Sequence, residues 1–213
     1  MGSCCSAQKK QYGRILLPAV VILVAVALLL LFRRPDGWTS EERLLINQSD
    51  SVMTVMVVPQ DSAILFAVSR DLESGALKTP ELQTLMTKML RTVTDPSQDG
   101  VGIAAPQVGI SRRIVCVQRF DKDQEPFECY VNIHIDSLSG PVAIGPEGCL
   151  SVPGKRGMVP RFQTVHISYV NPETGKECNE TVNGFTAVIF QHECDHLDGI
   201  LYTDRAITVE VTP

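Results

Sequence analysis

Positive charge is not in excess in this chain: 19 Lys and Arg stand against 24 Asp and Glu in 213 residues, a formal net charge of −5. A basic surface of the kind that tracks phosphates is excluded, and nucleic acid with it as a partner. No internal repeat is present, so a repeat architecture is excluded too. Of the seven cysteines, Cys116, Cys129, Cys149, Cys178 and Cys194 show no paired spacing, and a chain of this size needs no disulfide staples, so these five are expected to be mostly reduced thiols. Histidine is scarce, four in all. Acidic residues are missing altogether before Asp36.

That last absence sets the first segment apart. It would suit an organelle-import leader, but Ile15 to Phe32 is apolar all round rather than amphipathic. The stretch is long enough for a transmembrane helix, and Arg33 and Arg34 follow it as a stop. No small-residue cleavage site follows, which favours a retained single-pass anchor over a cleaved signal peptide. Lys9, Lys10 and Arg14 on one side nearly balance Arg33, Arg34 and Arg43 on the other, so orientation stays open. MGSCCS fits an N-myristoylation pattern, with Cys4 and Cys5 as palmitoylation candidates. The expectation is a protein anchored in a bacterial inner membrane or an organelle membrane. Its tail and anchor would occupy 1–34, a polar linker 35–51, a folded domain 52–207 and a C-terminal tail 208–213.

Within the domain, Val52 to Val58 is rich in β-branched residues and predicts a first strand. Thr79-Pro80 opens a helix, as N-cap and first helical residue. Leu82, Leu85, Met86, Met89, Leu90 and Val93 recur at helical spacing, and Asp95-Pro96 ends the run. Arg113 to Phe120 and Phe127 to Ile135 predict strands around a turn, and Thr164 to Val170 alternates as a half-buried strand. His134 and His166 then read as ordinary strand residues. Gly184 to Leu197 predicts the last long helix, with Gly199 just past its end. Strands joined by hairpin-type turns, with two principal helices, give an α+β class of antiparallel sheets packed around the C-terminal helix, preceded by the anchor.

The chemistry concentrates in VIFQHECDHLDG, Val188 to Gly199. His192 and His196, four apart on a helix, project from one face and can share a metal ion. Glu193 is rotated by one residue, beside the metal without ligating it. Phe185, Val188 and Ile189 lie on roughly the same side, so this face is expected to be buried. A catalytic site of this kind takes three protein ligands, and LDGILYTDRAITVEVTP downstream supplies no histidine. The third ligand must come from elsewhere. Cys149, in the breaker-rich PEGCLSVPG, is the best candidate, since a thiol near a dication ionises. On chemistry alone the other reading, an inert buried thiol, stays open.

Three segments together resemble the peptide deformylases: GVGIAAPQVG at Gly100–Gly109, EGCLS at Glu147–Ser151 and QHECDH at Gln191–His196. The likeness spans about Val52 to Ile207. It implies Cys149, His192 and His196 as metal ligands and Glu193 as general acid/base. Gln107 and the Leu150 N–H would stabilise the oxyanion. Val101, Gly102 and Val188 would meet an extended peptide and its methionine, and Arg156 the residues beyond. The implied cofactor is one divalent ion, Fe²⁺ in nature, with Zn²⁺ possible in isolated protein. The implied substrate is the N-formylmethionyl end of a nascent polypeptide near the ribosome, and the implied product formate. PQDSAILFAVSRDL after the first strand and YVNIHID at Tyr130–Asp136 depart from the family's usual pattern. GVGIAAPQVG lacks the Lys-Ser/Thr ending and the preceding strand of a phosphate loop, so nucleotide binding is excluded. Two other functions stand beside the first: an HExxH peptidase indifferent to the formyl group, and a non-catalytic, metal-stabilised binding module. The sequence leaves the oligomeric state open.

Overall fold

A computed structural model describes residues 37–98 and 100–212. The chain enters through helix α1, Ser40–Ile46. Thr39 caps it in a reciprocal box: its Oγ1 accepts from the Glu42 N–H, and Glu42 returns a carboxylate oxygen to the Thr39 N–H. Helix α2 is a single turn, Ser62–Leu65, and helix α3 runs Pro80–Val93. Leu82, Leu85, Met86, Met89 and Val93 are buried along α3, as their spacing predicts. Thr79 occupies the cap position of α3, but its hydroxyl donates backwards to the Ala76 carbonyl and accepts from the Trp38 indole N–H.

Six antiparallel strands form one sheet: β1 Gly102–Ala104, β2 Ile114–Gln118, β3 Phe127–Gly148, β4 Lys155–Val170, β5 Glu177–Asn183 and β6 Thr208–Val211. The first five neighbour each other in chain order, and β6 pairs with the start of β4. Helix α4, Gly184–Leu197, lies against β1, β2 and β4 and buries Ala187, Ile189, Phe190, Cys194 and Leu197 among Val115, Val117, Val165, Ile167 and Val182. A short helix α5, Tyr202–Arg205, follows it. A second core joins α3 to the N-terminal residues Trp38 and Ile46 and to Ile103 and Ile114. The α+β class with an antiparallel sheet and the bounds of α4 agree with the sequence reading.

Several expectations are corrected. The described residues add no membrane anchor to the fold class: no helix among them is long and apolar enough to cross a membrane. The expected span, 15–32, and the tail before it lie outside the described residues. The membrane-anchored localisation rested on that span, and no described helix supplies one. Within the stretch read as a linker, α1 is folded and Ile46 is fully buried. Within the stretch read as a tail, residues 208–211 form β6.

Val52 to Val58 forms no sheet strand, and 53–57 carry no regular secondary structure. Its N–H groups go to scattered acceptors: Met53 to Thr92 Oγ1, Met56 to the Gln107 carbonyl, Val57 to an Asp61 carboxylate and Val58 to the Ser151 carbonyl. β-Branched residues favour a strand, but a strand also needs a neighbour, and no strand among the described residues pairs with this stretch. Strands β3 and β4 run longer than their apolar alternation shows, because they form one long hairpin interrupted by register shifts. Gly145 to Gly148 therefore belong to β3 despite their breaker-rich composition, and only 149–154 turn. Finally, Cys116 and Cys129 are disulfide-bonded. The register of β2 against β3 sets them directly opposite each other, which spacing along the chain does not reveal.

Candidate metal centre and active site

Helix α4 places His192 and His196 one turn apart, with ring centroids 5.1 Å from each other. The β3–β4 hairpin brings its first turn residue, Cys149, over this pair. Its Sγ lies 3.2 Å from His196 Nε2. One donor atom each from Cys149, His192 and His196 falls within 4.8 Å of the others, a set that could hold a metal ion. The sulfur predicted from a distant loop therefore meets both imidazoles.

Electrostatics suit the donors to that use. Burial opposes ionisation of the Cys149 thiol, but the charges of His196 and His192 outweigh it and hold the thiol well below its ordinary range. The thiolate is the form that ligates. His192 Nδ1 lies 2.8 Å from a Glu147 carboxylate oxygen. A carboxylate only accepts there, so Nδ1 carries the proton and Nε2 faces the centre. Burial alone would raise the Glu147 carboxyl, yet hydrogen bonds from His192 and Arg161 hold it down at about 2. Arg161 grips Glu147 through two nitrogens, at 2.8 and 3.0 Å.

Glu193 is 4 % exposed, and its Oε2 has no hydrogen-bond partner. Burial pushes its carboxyl up to about 7, against the pull of His192 and His196. Backbone comes unusually close: a Cβ on Gly102 would sit 2.5 Å from Glu193 Oε1 and 2.9 Å from Ile189 Cγ2. Gln107 is nearly fully buried, and its Oε1 accepts the Ala104 N–H. That fixes the amide so that Nε2 points at the centre, 3.5 Å from Cys149 Sγ and 3.2 Å from Ser151 Oγ. The Leu150 N–H has no acceptor among the described residues.

A cavity of about 430 Å³ opens onto these groups. Val101, Gly102, Gln107, Cys149, Leu150, Arg156, Val188, His192 and Glu193 all line it, while His196 lies behind, 1 % exposed. Every residue singled out from the sequence is thus brought to one place. One expectation about the surroundings fails: Phe185 is 54 % exposed at the cavity mouth, its ring 5.2 Å from that of Phe120, rather than on a buried face. Sequence reasoning also assigned no role to Glu147, Ser151, Arg161 or Tyr202. Glu147 stood inside the quoted EGCLS, where an acid two residues before a candidate ligand was a usable signal. Arg161 and Tyr202 had none, since only the fold brings them to His192.

Comparisons with known proteins agree with this geometry. The family described as polypeptide deformylase matches residues 52–211. A peptide deformylase of Desulforudis audaxviator is 42 % identical over 131 residues, covering 62 % of this chain and 81 % of the relative. One of Leptospira biflexa is 37 % identical over 149 residues, covering 67 % and 82 %. Among solved structures, the class I type b peptide deformylase of Acinetobacter baumannii with Met-Ala-Ser bound aligns with a TM-score of 0.65 at 36 % identity, covering 72 % of this chain and 98 % of that one.

Proposed function

The chain belongs to the polypeptide deformylase family, and from that premise we propose how its own residues carry the reaction. It is a metal-dependent hydrolase that removes the N-formyl group from the N-terminal methionine of polypeptides and releases formate. The convergence of Cys149, His192 and His196 donors within 4.8 Å is the observation that carries this reading.

The three residues fit a divalent cation: one thiol disposed to ionise, one imidazole whose far nitrogen is tied to a carboxylate, and a second imidazole on the same helix face. Two imidazoles and a thiolate suit borderline or soft ions. We assign Fe²⁺ as the working ion from the family resemblance, with Zn²⁺ as the ion an isolated protein would also take. When bound, such an ion acidifies a water and polarises the formyl carbonyl. Glu193 accepts the proton of the attacking water and passes it to the leaving amine. A carboxyl near 7 is matched to both duties at neutral pH. Gln107 Nε2 and the Leu150 N–H donate to the oxygen on which charge builds; losing one such donor costs about 10²–10³ in rate.

The peptide lies extended along β1, an edge strand whose outer side has no partner strand among the described residues. Gly102 admits its backbone, Val101 and Val188 with Ile189 contact the methionine side chain, and Arg156 at the mouth meets later residues. Glu193 and Gly102 leave a narrow corner at the carbonyl, which accepts formyl hydrogen in preference to an acetyl methyl. The substrate is then a newly made polypeptide.

The test is formate release from a formyl-Met peptide by the full chain loaded anaerobically with Fe²⁺. Turnover is expected for the formylated peptide, with unformylated and acetylated peptides left intact. Glu193→Ala should keep its metal and lose at least about 10²–10⁴ in kcat. Cleavage of internal bonds would favour a peptidase instead, and bound metal without any turnover a binding module.

A further inference from the structure

His192 and His196 are not supported alike. His196 Nδ1 is buried without a hydrogen-bond partner, whereas the His192 ring is held on two sides. One hold starts at its Nδ1 and runs through alternating charges to the surface. Glu147 accepts from His192, and Arg161 donates twice to Glu147. The remaining Arg161 nitrogen, Nη1, donates to Asp195 Oδ2 at 2.6 Å. Arg205 closes the chain on Asp195 with two parallel bonds, Nε to Oδ2 at 2.6 Å and Nη2 to Oδ1 at 2.7 Å. The Glu147, Arg161 and Asp195 side chains are at most 10 % exposed, and only the Arg205 side chain, at 44 %, reaches solvent.

We infer that Arg205 is a positioning residue for the metal ligand His192, acting through Asp195, Arg161 and Glu147. This rests on the ligand assignment proposed above. The physical reason lies in competition for Arg161. With Arg205 present, two cations balance two buried carboxylates, and Asp195 is satisfied on both oxygens. Arg161 can then give its Nε and Nη2 to Glu147 and keep that carboxylate aimed at His192. Without Arg205, two buried carboxylates compete for one guanidinium, and burial makes an unbalanced charge costly. Arg161 is then drawn towards Asp195, and the Glu147–His192 bond loosens. The same short helix, α5, also supplies Tyr202, whose ring stacks on His192 at 6.1 Å between centroids with an 18° interplanar angle. Helix α5 thus braces one ligand by ring contact and by charge.

The test measures metal affinity rather than turnover. Co²⁺ is titrated into metal-free full chain against a competing chelator, and the visible Co²⁺ bands and the melting temperature of the metal-free protein are recorded. Arg205→Gln should weaken Co²⁺ binding about 3- to 10-fold and shift the visible bands, since loss of a ligand's outer partner costs up to about 10–100-fold. Arg205→Lys, which restores charge without the paired bonds, should fall between wild type and Arg205→Gln. In a Glu147→Gln background, Arg205→Gln should add nothing further. Unchanged affinity and bands in Arg205→Gln would overturn the inference. So would equal weakening in both backgrounds, or a weakening that merely follows a lower melting temperature of the metal-free protein. Cys149→Ala separates the two levels. If it binds Co²⁺ as tightly as wild type, the ligand assignment itself fails; if it loses the ion while Arg205→Gln does not, only the role of Arg205 fails.

Discussion

At the scale of single residues, the closest tolerance is between Gly102 and Glu193. A methyl at Gly102 would overlap Glu193 Oε1 at 2.5 Å and the branched Ile189 side chain at 2.9 Å. Both neighbours sit on the packed helix α4, so the carboxylate must rotate away or β1 must shift outwards. Gly102→Ala is therefore expected to lower kcat at least tenfold while metal content stays at wild-type stoichiometry, because misplacing a proton-transferring group by about 1 Å costs on the order of 10² in rate. Steady-state kinetics beside metal analysis checks it; wild-type kcat would show that the approach is looser than the geometry requires. His192, Glu193 and His196 were legible because a helix repeats every 3.6 residues, so local spacing already fixes their shared face. Gly102 and Gln107 were legible only through family likeness, since a glycine needed for close approach looks, in a chain, like any other glycine.

At the scale of elements, β3, β5 and the loop after β2 are joined by one buried guanidinium. Arg119 is 1 % exposed and donates to Asp121, Glu128, Tyr130 and Glu180. The hydrogen bonds from Arg119 hold the Asp121 carboxyl down at about 2, below its ordinary 3.8, outweighing burial. A carboxyl depressed in the folded chain stabilises it at pH values above the ordinary 3.8. That contribution fades as pH falls from about 4 through the folded value, below which both states are protonated. Asp121 is largely exposed and solvent screens the pair, so Asp121→Asn should lower stability by only about 1 kcal/mol at neutral pH. Its melting temperature should converge on that of wild type between about pH 4 and pH 2. A gap that persists to pH 2 would mean the loss is one of packing. None of this junction was visible in sequence, because Arg119 and Glu180 are 61 residues apart and meet only once β5 has folded back beside β4.

At the scale of the whole molecule, an ion held by Cys149, His192 and His196 would tie the β3–β4 hairpin to α4, two pieces otherwise linked by sheet and core contacts. An ion that binds only the folded chain stabilises it by mass action, about 4 kcal/mol when free metal is a thousandfold above Kd. For a domain of this size that amounts to about 10 °C in Tm. Chelation should produce a fall of that order, reversed by adding metal back, and Cys149→Ala should show no chelator response. Calorimetry with and without chelator measures it, and an equal response in Cys149→Ala would place the stabilising ion elsewhere.

What the sequence determined by itself was whatever depends on neighbours along the chain: the start of α3 at Thr79-Pro80, the bounds of α4 and the histidine pair upon it. With the family likeness added, it also reached Cys149. Tertiary structure alone decided the rest. The register of β2 on β3 joined Cys116 to Cys129. With no partner strand among the described residues, 52–58 stayed outside the sheet. The packing of α5 beneath α4 put Arg205 at the end of a charge chain leading to His192. Periodicity acts over a few residues and can be read locally. Pairing across a sheet and burial of charge act between residues tens of positions apart, and they exist only after the chain has closed on itself.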